Sequence, residues 1–190
     1  MTDVSPLRIG RWLCVYVGAL VVLVTVSALM LHGAVNPGLR ELVLHLVRGN
    51  TMAELLLAGT SREDTLAALA EIRPTDLVAA FEDSADRQET AFATPGALER
   101  TCHHPVGDIP GSQLLGFRIG DMDLHAWDLA RAIGAEESLQ PEVVEAVWAS
   151  LSPMAAFIGE TGVFGPGPSG MVPDDAPLQA RVLDLSGRRP

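Results

Sequence analysis

From residue 39 onward, apolar side chains recur at intervals of three and four, the period of helices that each bury one stripe. Leu42, Leu46 and Val47 predict a helix over residues 39–58, closed by Gly59; Gly49 and Asn50 weaken its middle, so a break or bend there is an open alternative. Residues 61–73 mix charge with alanine and read as a short helix ended by Pro74. Thr75 then serves as N-cap for a helix with Leu77, Phe81, Ala85 and Phe92 on its inner side, stopped by Thr94-Pro95-Gly96. Residues 97–113 read as irregular or short extended structure, with two turns within 106–111. A helix over 112–133 follows, with Leu115, Met122, His125, Leu129 and Ile133 inward and Gly134 terminating it. Pro141 opens the last long helix, which turns Val144, Val147, Trp148 and Leu151 toward a core until Pro153 interrupts it before Phe157. Gly and Pro dominate from Gly159 to Pro177 and predict a surface strap; a short helix over 178–185 closes the fold. The sum is an all-α domain over residues 36–190 with a Gly/Pro-rich C-terminal strap and no internal repeat.

Residues 1–35 pose a separate question. The twenty residues 12–31 carry no charge and are rich in valine and leucine, long enough as a helix to cross a hydrocarbon core of roughly 30 Å. Arg8 and Arg11 precede them, and Val26-Ser27-Ala28 resembles a signal cleavage site. Three readings stay open: first helix of a bundle, membrane anchor, or cleaved signal. The first suits a cytoplasmic protein, the second a membrane-anchored one.

Charge and cysteine content narrow the function. A net charge of −11 with only 13 basic residues argues against nucleic acid as a partner. Cys14 and Cys102 lie far apart and form neither a redox pair nor a cysteine zinc site, so free thiols in a reducing compartment are expected. Aromatics at 5% favour packed helices over a sheet-rich core.

Two histidines eighty residues apart, His45 and His125, carry the candidate chemistry. Asp121 lies one turn before His125 on the same helix face. An imidazole and carboxylate so spaced, joined by His45 from a second helix, could converge on a divalent metal and leave positions open. Asp128, one turn after His125, could orient that imidazole or add an oxygen. The bland alternative is a satisfied helical histidine beside a solvated carboxylate. His103 and His104 read as exposed, Cys102 as an inert thiol, and Trp127 as a packing residue. Gly165-Pro166-Gly167-Pro168 lacks the lysine of a phosphate-cradling loop.

Several words in register resemble one family. They are Arg40-Glu41-Leu42-Val43-Leu44-His45-Leu46-Val47-Arg48-Gly49-Asn50; residues 121–131 with their His-Ala-Trp-Asp-Leu-Ala-Arg run; Pro95-Gly96-Ala97-Leu98; the 107–111 turn; Gly162-Val163-Phe164-Gly165-Pro166; Val172-Pro173-Asp174-Asp175-Ala176-Pro177; and Gly187-Arg188. Together they resemble the metal-binding domain family of mycothiol-dependent maleylpyruvate isomerases, a branch of the DinB-like four-helix bundles widespread in actinobacteria. The resemblance implies a four-helix bundle with metal ligands at His45, Asp121 and His125. It implies zinc, or else nickel, manganese or iron, with mycothiol as thiol partner and an electrophilic small molecule as substrate. Thiolate addition to a conjugated double bond, rotation and expulsion would give isomerisation, and the same geometry would serve thiol transfer. Three departures accompany it. Asn36-Pro37-Gly38-Leu39 stands where the family commonly has Cys-Pro-Gly-Trp, and Asp121 where Glu is frequent. The first thirty residues do not resemble the family's first helix, and the chain stops without the C-terminal domain of the isomerase, which points away from that particular activity. A non-catalytic metal protein and a membrane-anchored interaction domain are the competing function classes.

Overall fold

The helix that carries His45, α1 (Pro37–Leu57), runs unbroken through Gly49 and Asn50. Here a computed structural model describes residues 37–165 and 167–190. The apolar stretch 12–31 and Cys14 lie outside the described residues, as does most of the breaker cluster before Gly38. Among the described residues no helix is long and apolar enough to cross a membrane.

Capping fixes the next two helices. Ser61 accepts from the Asp64 amide at 3.1 Å and, with Glu63 and Asp64 in the first turn, starts α2 (Arg62–Ala70), which ends before the expected Pro74 stop. Asp76, not Thr75, caps α3 (Leu77–Ala93): its carboxylate accepts from the amides of Val78 and Ala79 at 3.0 and 3.1 Å. A carboxylate serves two of the orphan amides and matches the helix dipole, which a threonine hydroxyl does less well.

The segment read as irregular or short extended structure is a β-hairpin, which adds a small sheet to the expected helices. Strands β1 (Thr101–His104) and β2 (Gly107–Pro110) pair antiparallel, with Cys102 opposite Ile109 and His103 opposite Asp108. Alternation sends Cys102 and Ile109 into the core and leaves His103 and Asp108 outside, where they are hydrogen-bonded at 2.9 Å. The architecture is therefore mainly helical, with this one two-stranded sheet among the described residues.

Helix α4 (Gly111–Ile133) is the longest element among the described residues and touches three apolar clusters. Its start is tight, since a Cβ on Gly111 would lie 1.9 Å from the Ala97 carbonyl oxygen. Leu114 and Leu115 meet Ala53, Leu56, Phe92 and the hairpin; Met122 and Leu129 meet Val43, Leu46 and Phe81. Leu124 and Trp127 meet α5 (Pro141–Leu151) and α6 (Leu178–Leu185). Gly134, at φ +69, terminates α4 as expected. Pro153 follows the end of α5 in a 3-10 turn, and the strap is fastened to α6 where the Ser169 amide donates to the buried Asp184 carboxylate at 3.1 Å. Cross-helix contacts give the helix directions. Asn50 meets Arg118 while the earlier His45 meets the later Asp121, so α1 and α4 are antiparallel. Asn50 meets Ser84 and Glu54 meets Arg87, so α1 and α3 run the same way.

Candidate metal centre

Antiparallel packing of α1 on α4 brings the three expected side chains together. His45 and His125 stand edge to face with ring centroids 4.9 Å apart. His45 Nε2 lies 3.1 Å and His125 Nε2 3.3 Å from the same oxygen, Asp121 Oδ1. One donor atom from each residue falls within 4.8 Å of the others. The site is lopsided: the side chain of His45 is 55% exposed, that of His125 only 19%. His125 thus faces the core less fully than its place in the apolar stripe implies.

Asp128 fixes the outer nitrogen of His125. Its Oδ2 lies 2.8 Å from Nδ1, and Arg188 from the C-terminal tail holds both Asp128 oxygens at 2.9 and 2.6 Å. Of the two groups that face Nδ1, the Asp128 carboxylate at 2.8 Å is nearer than Arg188 Nη2 at 3.4 Å, which favours a proton on Nδ1 donated to the carboxylate. A neutral ring then presents a lone pair at Nε2 to Asp121 Oδ1, two acceptors in contact. Either a second proton on the ring or a cation among the three donors relieves this. Two imidazoles and one carboxylate form a donor set that fits a divalent transition metal, with the carboxylate–histidine pairing usual behind such ligands.

Proton affinities follow from the same contacts. Burial pushes His125 down, but Asp121 and Asp128 outweigh it and hold the imidazole above its ordinary value of 6.5. Burial raises Asp121, yet hydrogen bonds from His125 and His45 and the charge of Arg118 hold its carboxyl well below the usual carboxylate range. Asp128 is likewise lowered, burial being overcome by His125 and Arg188. The signs give a prediction for the metal-free protein. A raised histidine contributes stability that is complete below 6.5 and is lost as pH rises through the raised value. The lowered aspartates contribute above 3.8 and lose that contribution as pH falls through their depressed values. Thermal melts between about pH 5 and pH 8 are expected to show a midpoint that falls on the alkaline side, with chelator present. With divalent metal added the slope should reverse, because ligation requires the deprotonated ring. Equal slopes in the two series would contradict the assignment.

The remaining candidates stay apart from this cluster. His103 is tied to Asp108 on the hairpin. His104 packs its ring against Phe117 at 5.5 Å and accepts from the Val106 amide; burial, then the Arg62 charge, lowers its pKa. Burial pushes the Cys102 thiol up, which makes it a poor nucleophile. Trp127 is buried, with the Arg131 guanidinium 4.7 Å from its ring centroid. A cavity of about 400 Å³ lies elsewhere, between α1, α3 and the turn after it, lined by Glu54, Asp83, Arg87 and Arg100 among others.

Two arginines are absent from the sequence-based set. Arg188 reaches the site across 60 residues of chain; it stands in the Gly187-Arg188 word of the resemblance, but no spacing ties it to His125. Arg118 does have one: it precedes Asp121 by three on the same helix face.

No protein-family model matches the chain, and no solved structure matches it either. Two uncharacterized proteins, from two strains of Mycobacterium tuberculosis, are each 34% identical to it over 105 residues, or 55% of this chain and 54% of theirs. The chain therefore spans about half the length of the curated relatives it matches.

Proposed function

We propose that this protein binds one divalent cation through His45, Asp121 and His125 and uses it in thiol-dependent chemistry, on a scaffold of the DinB-like four-helix type. The observation that carries this reading is the convergence of two imidazole nitrogens on a single carboxylate oxygen, at 3.1 and 3.3 Å. Bound there, a divalent metal supplies Lewis acidity and favours the thiolate form of a ligand thiol. The chain's own groups prepare the site. Asp128 holds the His125 proton at Nδ1 and keeps Nε2 free, and Arg188 keeps Asp128 ionised and in place. The half-exposed His45 side chain supports entry of a thiol and an electrophilic small molecule from its side of the site. The resemblance to the mycothiol-dependent isomerase family supports mycothiol as the thiol and zinc as the metal, with isomerisation or group transfer as the reaction class. Packing of α1, α3 and α4 about one apolar cluster supports the bundle assignment.

A second reading has its own support, because the donors come from two helices and a cation there would fasten α1 to α4. Metal analysis of the purified chain comes first, with one ion per chain expected. Cobalt-loaded protein is then titrated with mycothiol or a small thiol while its visible spectrum is followed. Growth of a thiolate-to-metal band is expected on the enzymatic reading. Metal held in full occupancy with no spectral response assigns the structural role instead.

A further inference from the structure

Arg118 is only 3% exposed, yet each of its guanidinium nitrogens has a partner. Nε donates to Gln88 Oε1 at 2.9 Å, Nη2 to Asn50 Oδ1 at 2.8 Å, and Nη1 to Asp121 Oδ2 at 2.5 Å. The neutral acceptors are themselves held. Asn50 Nδ2 donates to Ser84 Oγ at 3.1 Å, whose hydroxyl donates to the Phe81 carbonyl at 3.0 Å; Gln88 Nε2 faces Met122 Sδ at 3.8 Å. The fork therefore has one orientation. Space for it comes from Gly49, where a Cβ would lie 2.2 Å from Nη1 and 2.7 Å from Cζ. Glycine is an unfavourable choice inside a helix, and nothing in the local backbone of α1 asks for it, since the helix runs straight through with no positive φ at this position. What requires the missing side chain is a guanidinium delivered by α4.

We propose that Arg118 is the positioning residue of the metal centre: seated on Gly49 and forked between Asn50, Gln88 and Asp121, it takes up Oδ2 and leaves Asp121 a single oxygen, Oδ1, to place between the two imidazoles. This rests on the metal-binding reading above and adds how the chain sets its ligation. A carboxylate free to turn can give both oxygens to a large, oxygen-seeking ion; one whose second oxygen is occupied cannot. The resulting set of two nitrogens and one oxygen favours zinc, cobalt or nickel over calcium or magnesium, which take more oxygen ligands.

Arg118→Lys tests this, because it keeps the charge while a single ammonium cannot serve three acceptors in one plane. Cobalt affinity of the full chain is expected to weaken about tenfold, the range for loss of an outer partner of a ligand, and the visible cobalt bands to shift in position and intensity. The preference for cobalt over manganese should narrow as Asp121 gains freedom. A folded Arg118→Lys protein with wild-type bands and affinity overturns the proposal. Should that variant fail to fold, Gly49→Ala gives the same reading, since alanine favours the helix and displaces only the guanidinium; unshifted bands there overturn it equally. Cobalt uptake by wild type with unaltered variants defeats the role of Arg118 alone, whereas no uptake by wild type defeats the metal reading and this proposal together.

Discussion

An Asp121→Ala variant is expected to lose about 3–5 kcal/mol of stability even with no metal present, the cost of leaving a buried charge without its partner. Arg118 is the reason. Its guanidinium is sealed between α1, α3 and α4, and its other two acceptors, Asn50 and Gln88, are neutral. Removing the carboxylate strands that charge, and it also leaves His45 and His125 without the oxygen they share. A surface ion pair would cost no more than about 1 kcal/mol, so chemical denaturation of the metal-free variant separates the cases. A shift of that smaller size would mean that water reaches Arg118 and that the network is looser than described. Asp121→Asn should fall between, since an amide oxygen still accepts from Nη1 but carries no charge.

Loss of metal is the other large effect. Replacing His45 or His125 by alanine removes one of three protein donors, and each should weaken binding by more than the roughly 10–100-fold that loss of an outer partner costs. His125→Ala is expected to be the more severe, because its ring is the one oriented by Asp128 and Arg188 and buried against the helix. His104→Ala, on the hairpin against Phe117, should leave metal content unchanged. Elemental analysis of the purified variants reads all three. A His45→Ala protein with full occupancy would remove that residue from the ligand set.

How far the sequence could be read depends on how local the determining contact is. The apolar stripes of α1, α3, α4 and α5 are set within each segment, so their existence and inward faces follow from spacing, and Leu178–Leu185 was legible to the residue. Asp121 and His125 share a helix face by arithmetic, four residues apart. Their meeting with His45 depends on tertiary packing, which spacing does not encode; the residue types suggest it and the resemblance strengthens it. The helix over 39–58 follows from its stripe, but whether it breaks at Gly49 stays open in the sequence for the same physical reason. Propensity registers the cost of glycine in a helix, but the guanidinium that needs the gap arrives from 68 residues beyond Asn50. The sequence leaves residues 97–113 open between irregular and short extended structure, because four-residue strands are too short for alternation to stand out. Thr75 is expected as the cap and Asp76 is the cap found, one residue on, because both residue types cap well and only the turn geometry chooses.

His45 and Asp121 are 76 residues apart along the chain. An ion shared by them is a removable cross-link over that span, and the entropy of closing so long a loop grows only as the logarithm of its length. The melting temperature then becomes a gauge of free metal, with about 2.7 kcal/mol added at a concentration one hundred times the dissociation constant. On the proposed metal-binding reading, chelation would then lower the melting temperature of the wild-type chain and leave that of the His45→Ala variant unmoved.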